Sequence, residues 1–309
     1  MPRHWIPNRR TVLSAAGMAI AVAVVGSVPR STAAPRLPAC GTRYRGYRTE
    51  DYSQPYASFM TEHTTEAPQS VLDAYHGGPI DPARIPQFDS VTTELAPSGY
   101  AEVETGYGRL PDGVVYAAVR TDMPGVTAAM WDWWFGWHST EAARYKLWHP
   151  DAHLHASLRR DLTSAQIPDR QKYIGNTTYV DEYVGPKLQQ LAIEFHDPLL
   201  HGFDVPADHT VVFGRVGSSI APIDLGWLAH QVRPTADGCE MRSRFYLNLR
   251  GLHVPNLVEA ACAIARGPSV DPSDVVLTVD LAKDLMLHCG QEMNHLAGFL
   301  PELHRTFAH

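Results

Sequence analysis

Cysteine is scarce in this chain of 309 residues, and its four copies, Cys40, Cys239, Cys262 and Cys289, never form a C-x-x-C pair. That spacing excludes a zinc ribbon and a dithiol redox motif. One or two disulfides are compatible with four thiols in an exported protein, and their pairing cannot be read from sequence. Cys289, beside His288, reads as a small core residue. Basic charge is also short. Residues 1–34 carry Arg3, Arg9, Arg10 and Arg30 and no acid, so the remainder holds 22 basic against 33 acidic side chains. That balance excludes a nucleic-acid partner and disfavours an anionic membrane surface. Internal repeats, low-complexity tracts and a βαβ alternation are all missing. What is present is 44% hydrophobic residues, enough for a sizeable core.

The single long uncharged run, residues 11–28, follows Arg9-Arg10 and leads into the small residues Ser31-Thr32-Ala33-Ala34. Paired arginines before a mildly apolar run resemble a twin-arginine export signal cleaved near Ala33 or Ala34. The expectation is a secreted or cell-envelope protein with no stable membrane partner after cleavage. An uncleaved anchor is the alternative, because the run is about long enough to span a bilayer. A lipoprotein site at Cys40 is weaker, since Arg36 intervenes. Residues 35–98, rich in Pro, Gly, Ser and Thr, read as an extended arm with one helix near 67–75. Residues 99–309 then form the main domain.

In that domain, residues 100–106 and 114–121 read as a hairpin turning on Pro111-Asp112-Gly113. Helices are expected over 125–137 and 140–148, after Asp122 and Pro124. Strands follow at 173–184, 191–196, 210–216, 227–233 and 240–249, then helices at 256–266 and 280–307. Antiparallel strands grouped between helices specify an α+β architecture. A sheet curled around a long C-terminal helix, the helix-grip (START-like) arrangement, fits this element order and would enclose a cavity.

Three places carry chemistry. In the last helix, Leu281, Leu285, His288, Glu292, Leu296, Phe299 and Leu303 recur at three- and four-residue steps, which makes one stripe. The stripe is apolar except at His288 and Glu292, and a buried carboxylate costs several kcal/mol unless it is paired or coordinates a metal. In the strand around Tyr179, alternation puts Val180, Glu182 and Val184 on one face and Asp181 on the other, more solvated one. The third place, residues 131–156, holds five tryptophans and His138, His149, His153 and His155. Taken singly, each of these has an ordinary reading: a His–Glu hydrogen bond in a partly wet core, an edge-strand glutamate, exposed or locally bonded imidazoles. Together, His288, Glu292 and Glu182 facing one cavity make a divalent metal the simplest neutraliser of two buried carboxylates.

The segment Arg144-Tyr145-Lys146-Leu147-Trp148-His149-Pro150-Asp151-Ala152-His153, the later Glu182 and the H-x-x-x-E of His288 and Glu292 resemble the diacetylphloroglucinol hydrolase family, which includes phloretin hydrolase. The resemblance spans roughly residues 100–307. It implies a helix-grip fold with one Zn2+ per chain, and hydrolysis of the carbon–carbon bond between an acyl group and a phenolic ring. It assigns the metal to His153, Glu182, His288 and Glu292, with His149, His155 and His295 as rivals for the imidazole positions and another divalent cation as a substitute for zinc. Tyr145 and, on a late strand, Tyr246 take the substrate-binding tyrosine roles. An asparagine that holds the acyl oxygen in the family is replaced here by Ala156 or, with a one-residue slip, Ser157. Trp133, Trp134 and Trp148 are candidate walls of an aromatic pocket. The implied partner is a small acylated phenol or related ketone, and an oligomer is compatible with it. The alternative is a helix-grip carrier of an aromatic molecule that performs no catalysis.

Overall fold

The computed structural model describes residues 40–249, 251–268 and 277–308. The export signal expected at 1–34 lies outside them. Eight strands, β1 Gly106–Arg109, β2 Val115–Pro124, β3 His153–Leu158, β4 Thr177–Val184, β5 Lys187–His196, β6 Thr210–Ser218, β7 Asp224–Thr235 and β8 Gly238–Leu247, form one sheet in the order β1-β2-β8-β7-β6-β5-β4-β3. Every neighbouring pair is antiparallel, so the class is α+β as expected. Both foreseen turns form. Gly113 closes the β1–β2 hairpin at φ 100°, a conformation that a side chain would strain. Thr235 and Gly238 pair across the β7–β8 turn.

The helices are α1 Gln69–Gly77, α2 Val91–Glu94, α3 Ala128–Trp137, α4 Ala142–Lys146, α5 Asp169–Tyr173, α6 Leu257–Ala265, α7 Val279–Ala297 and α8 Leu300–Phe307. Thr278 caps α7, its hydroxyl accepting from the Leu281 N–H at 3.2 Å. The helix expected to run unbroken over 280–307 is two. Pro301 lacks an N–H and would clash with the carbonyl four residues back, so the chain turns at Gly298 and Phe299 and restarts. Phe299 thereby leaves the stripe and packs beside Phe59, ring centroids 6.1 Å apart.

Three further expectations are corrected. The first hairpin strand begins at Gly106, where the expected one ends, because residues 100–105 loop outward to bring Glu104 to Arg242 and Arg244. Tyr173 closes α5 and does not open a strand; the strand starts after Gly175, which sits at φ 72°. Strand β3 was hidden by the histidines at 153 and 155, which obscure its apolar alternation.

Helix α7 packs on β1 and β2 near one edge of the sheet and on β4 near the other. Strands β2 and β4 are five neighbours apart, roughly 24 Å across a flat sheet at about 4.8 Å per strand, whereas a helix is only about 10 Å wide. The sheet must curl for one helix to meet both. Its concave side, closed by α7 and α3, holds the larger core, which includes Val119, Trp131, Leu147, Val212, Met286 and Leu296. A smaller core on the convex side gathers Leu95, Tyr116, Phe213 and Tyr246. Residues 40–98 run over the outside as short helical turns, and a disulfide between Cys40 and Cys262 ties their start to α6. Cys239 and Cys289 are free and buried. Among the described residues, no helix is long and apolar enough to cross a membrane.

Candidate metal centre

Four of the expected residues converge, brought in by β3, β4 and α7. His153 and Glu182 are cross-strand partners on β3 and β4, so the sheet sets them side by side. His288 and Glu292, one turn apart on α7, meet them from above. His153 Nε2 lies 3.4 Å from His288 Nε2, 3.7 Å from Glu182 Oε2 and 3.5 Å from Glu292 Oε2. His288 Nε2 is 3.7 Å from Glu292 Oε2. Ligand atoms of His153, Glu182 and His288 all fall within 4.8 Å of one another. Bonds of about 2.0–2.1 Å in a tetrahedron separate ligand atoms by roughly 3.3–3.4 Å, so His153, Glu182 and His288 could hold a small divalent cation, with Glu292 Oε2 beside both imidazoles.

The surroundings aim these groups. His153 Nδ1 donates to the Tyr145 carbonyl at 2.9 Å, which fixes the tautomer and leaves Nε2 free for the centre. His288 bonds the Tyr183 backbone. The Tyr145 hydroxyl donates to Glu182 Oε2, and its ring stacks on His153 at 3.7 Å between centroids. Burial pushes the Glu182 carboxyl up to about 7, against the Tyr145 hydrogen bond, which lowers it. Burial, then repulsion from Glu182, raises Glu292 well above the carboxylate range. Burial, then the neighbouring imidazoles, holds His153 well below the usual histidine range, and His288 is lowered likewise. Neutral imidazoles beside carboxylates that lack a counter-charge are the electrostatics of a cation site.

The rival histidines go elsewhere. His149 stacks on His288 at 4.6 Å and is held through Nδ1 by the Thr64 hydroxyl at 2.7 Å. His295 is bonded by Thr61 and Thr65. His155 points to the convex side, against Gly41. Asp181, expected to be solvated, faces that side too but is fully buried under α6, where Arg266 pairs with it at 3.0 Å.

The centre closes one end of a largely apolar cavity. Val180, Glu182 and Val184 line it together, as alternation required, and α7 contributes Leu281, Leu285, His288 and Glu292. Of the three candidate tryptophans only Trp148 reaches it; Trp134 stacks on His138, and Trp133 on Trp137. Tyr246 is not brought to the site. Phe245 and Leu247 face the cavity, while Tyr246 points to the convex side and donates to Glu94 in a buried cluster with Arg244. The one-residue register difference decides this. Ala156 packs into the concave core, so the side chain at that position offers no polar group. Sequence reasoning missed His230, on the cavity wall with Nδ1 2.7 Å from the Ser243 hydroxyl, and Ser139; His138 stood out only as one of four clustered histidines. The only signal for His230 was one polar residue on the inward face of an otherwise apolar strand.

Comparison with known proteins finds relatives over most of the chain. The model of a family described as the DAPG hydrolase PhiG domain matches residues 85–305. A 2,4-diacetylphloroglucinol hydrolase of Pseudomonas protegens is 28% identical over 82% of this chain and 85% of its own length. A phloretin hydrolase of Eubacterium ramulus is 29% identical over 84% of this chain and 92% of its own. A solution structure of a protein from Arthrobacter aurescens covers 63% of this chain and 93% of its own at 12% identity, with a TM-score of 0.32, too low to bear on the fold.

Proposed function

Because the chain belongs to the DAPG hydrolase family, we propose that it hydrolyses the carbon–carbon bond between an acyl group and a phenolic ring, with one divalent cation, zinc by preference, held by His153, Glu182, His288 and Glu292. The observation that carries this is the meeting of those four side chains, from three separate elements, at the end of an aromatic-lined cavity. The curl of the sheet around α7 supports the helix-grip reading of the fold.

The cation supplies electrophilic pull on a ketone oxygen and acidity to a water molecule. The remaining work falls to side chains. Phe135, Trp148, Leu191, Phe245 and Leu281 form a dry slot suited to an aromatic ring. Tyr145, donating to Glu182, orients that carboxylate and stands ready to bond a substrate oxygen. Cleavage obliges the leaving ring carbon to accept a proton, which a hydroxylated ring eases through its keto tautomer. Water adding to the ketone releases the proton that the ring needs, and we assign its relay to His230, the cavity histidine outside the ligand set that has only one nitrogen engaged among the described residues; burial holds this ring neutral, its pKa pushed down to about 3, so it accepts that proton before passing it to the ring carbon. Ala156 cannot supply the polar contact that the family's asparagine gives the acyl oxygen, so the favoured acyl group should differ from that of the relatives. Residues 1–34 complete the proposal as a twin-arginine export signal, preceding an arm (35–98) and the catalytic domain (99–309).

Elemental analysis of wild type, Glu292→Ala and His153→Ala, with acylphloroglucinol turnover followed in the same samples, tests the reading. One equivalent of metal and turnover are expected in wild type, and neither in the variants. Equal metal in all three refutes the ligand set. A metal-free wild type that binds acylphenols without turnover would favour a carrier, whereas a metal-loaded one without turnover would keep the site and discard the substrate.

A further inference from the structure

His138 and Ser139 lie on the cavity wall, in the turn between α3 and α4, and the metal ligands make no use of them. Their hydrogen bonds have a fixed direction. His138 Nδ1 is 2.7 Å from the Trp134 carbonyl oxygen, which can only accept, so Nδ1 carries the proton. Burial holds the ring neutral, its pKa pushed down to about 4, so Nε2 is bare. Ser139 Oγ, 3.0 Å from Nε2, must therefore donate to it. The serine has spent its single proton and keeps oxygen lone pairs that no donor among the described residues fills. The cavity it opens on is largely apolar, with Phe135, Trp148, Phe195 and Leu228 in its lining.

Position adds to direction. Trp134, His138, Tyr145 and His153 form a column of stacked rings with centroid steps of 4.8, 5.9 and 3.7 Å. Ser139 thus stands beside the second ring of a column whose last member is a metal ligand, far enough from the centre to meet the ring of a substrate whose acyl group is engaged there. An acceptor without a donor on a dry wall favours a ligand O–H and disfavours an ether oxygen or a carbonyl, which would set lone pair against lone pair. Resting on the proposed function, we infer that Ser139, backed by His138 and the Trp134 carbonyl, accepts a hydrogen bond from a hydroxyl of the substrate's phenolic ring and so selects hydroxylated rings. The pair is a binding determinant that needs no bond-making of its own.

The test is equilibrium binding of 1,3,5-trihydroxybenzene and 1,3,5-trifluorobenzene to wild type, Ser139→Ala and Ser139→Thr, with metal content measured in each sample. Wild type should prefer the triol. Ser139→Ala should cut that preference about five- to tenfold, the worth of one buried hydrogen bond, while Ser139→Thr, which keeps the hydroxyl, retains most of it. An undiminished preference in Ser139→Ala with normal metal content overturns the inference and leaves the proposed function standing. Loss of metal from Ser139→Ala overturns it too, by showing that the pair only props the ring column. A wild type indifferent between the two rings overturns both readings.

Discussion

Stripping the metal should make the fold pH-sensitive in a direction opposite to most carboxylates. Glu182 titrates at an ordinary 4.5 in the unfolded chain and at about 7 in the fold, because burial disfavours its charge. Below pH 4.5 it is protonated in both states and costs nothing. Above that, the unfolded chain releases the proton while the fold retains it, and stability falls by about 1.4 kcal/mol per pH unit until the folded group ionises too. Over the span from 4.5 to about 7 the loss reaches about 3 kcal/mol, a large share of a typical domain's ~5–15 kcal/mol. The assay is urea unfolding of chelator-treated wild type and Glu182→Gln from pH 5 to 8, followed by tryptophan fluorescence. The amide cannot ionise, so the variant should gain about 2–3 kcal/mol on wild type across that range. Saturating divalent metal should abolish the wild-type decline, since a cation binds the ionised carboxylate. Parallel profiles for the two metal-free proteins would refute the reasoning, because Glu182 would then be as well solvated in the fold as out of it.

Two further outcomes separate the tyrosines and weigh the disulfide. Tyr145→Phe should keep its metal and lose about 10- to 100-fold in kcat, since only the bond to Glu182 and to a substrate oxygen is removed. Tyr246→Phe should leave kcat and KM alone and cost about 1–3 kcal/mol of stability, the worth of its bond to the Glu94 carboxylate; a collapse of turnover in this variant would contradict its placement on the convex side. Cys40→Ser opens a link across 222 residues of sequence, and chain entropy puts the loss at up to about 5 kcal/mol, measurable as a lower urea midpoint under non-reducing conditions.

The chain's own order of residues determined the local facts: two carboxylates on apolar faces, at Glu182 by strand alternation and at Glu292 by helical spacing, each beside a reason to be inside. Such periodicities are properties of one element, so they can be read without a fold. It also exposed the scattered Tyr145, His153, Glu182, His288 and Glu292 pattern on which the resemblance to the family rests. Tertiary structure decided what depended on partners distant in sequence. Strand pairing set His153 opposite Glu182, and burial under α6 turned Asp181 from a solvent residue into an ion-pair partner of Arg266. One step of register sent Tyr246 to the convex side, while the arm's threonines claimed His149 and His295. Which of several histidines is left to face the buried carboxylates is fixed by what the others are already bonded to, and those bonds form only when segments up to 234 residues apart are packed together.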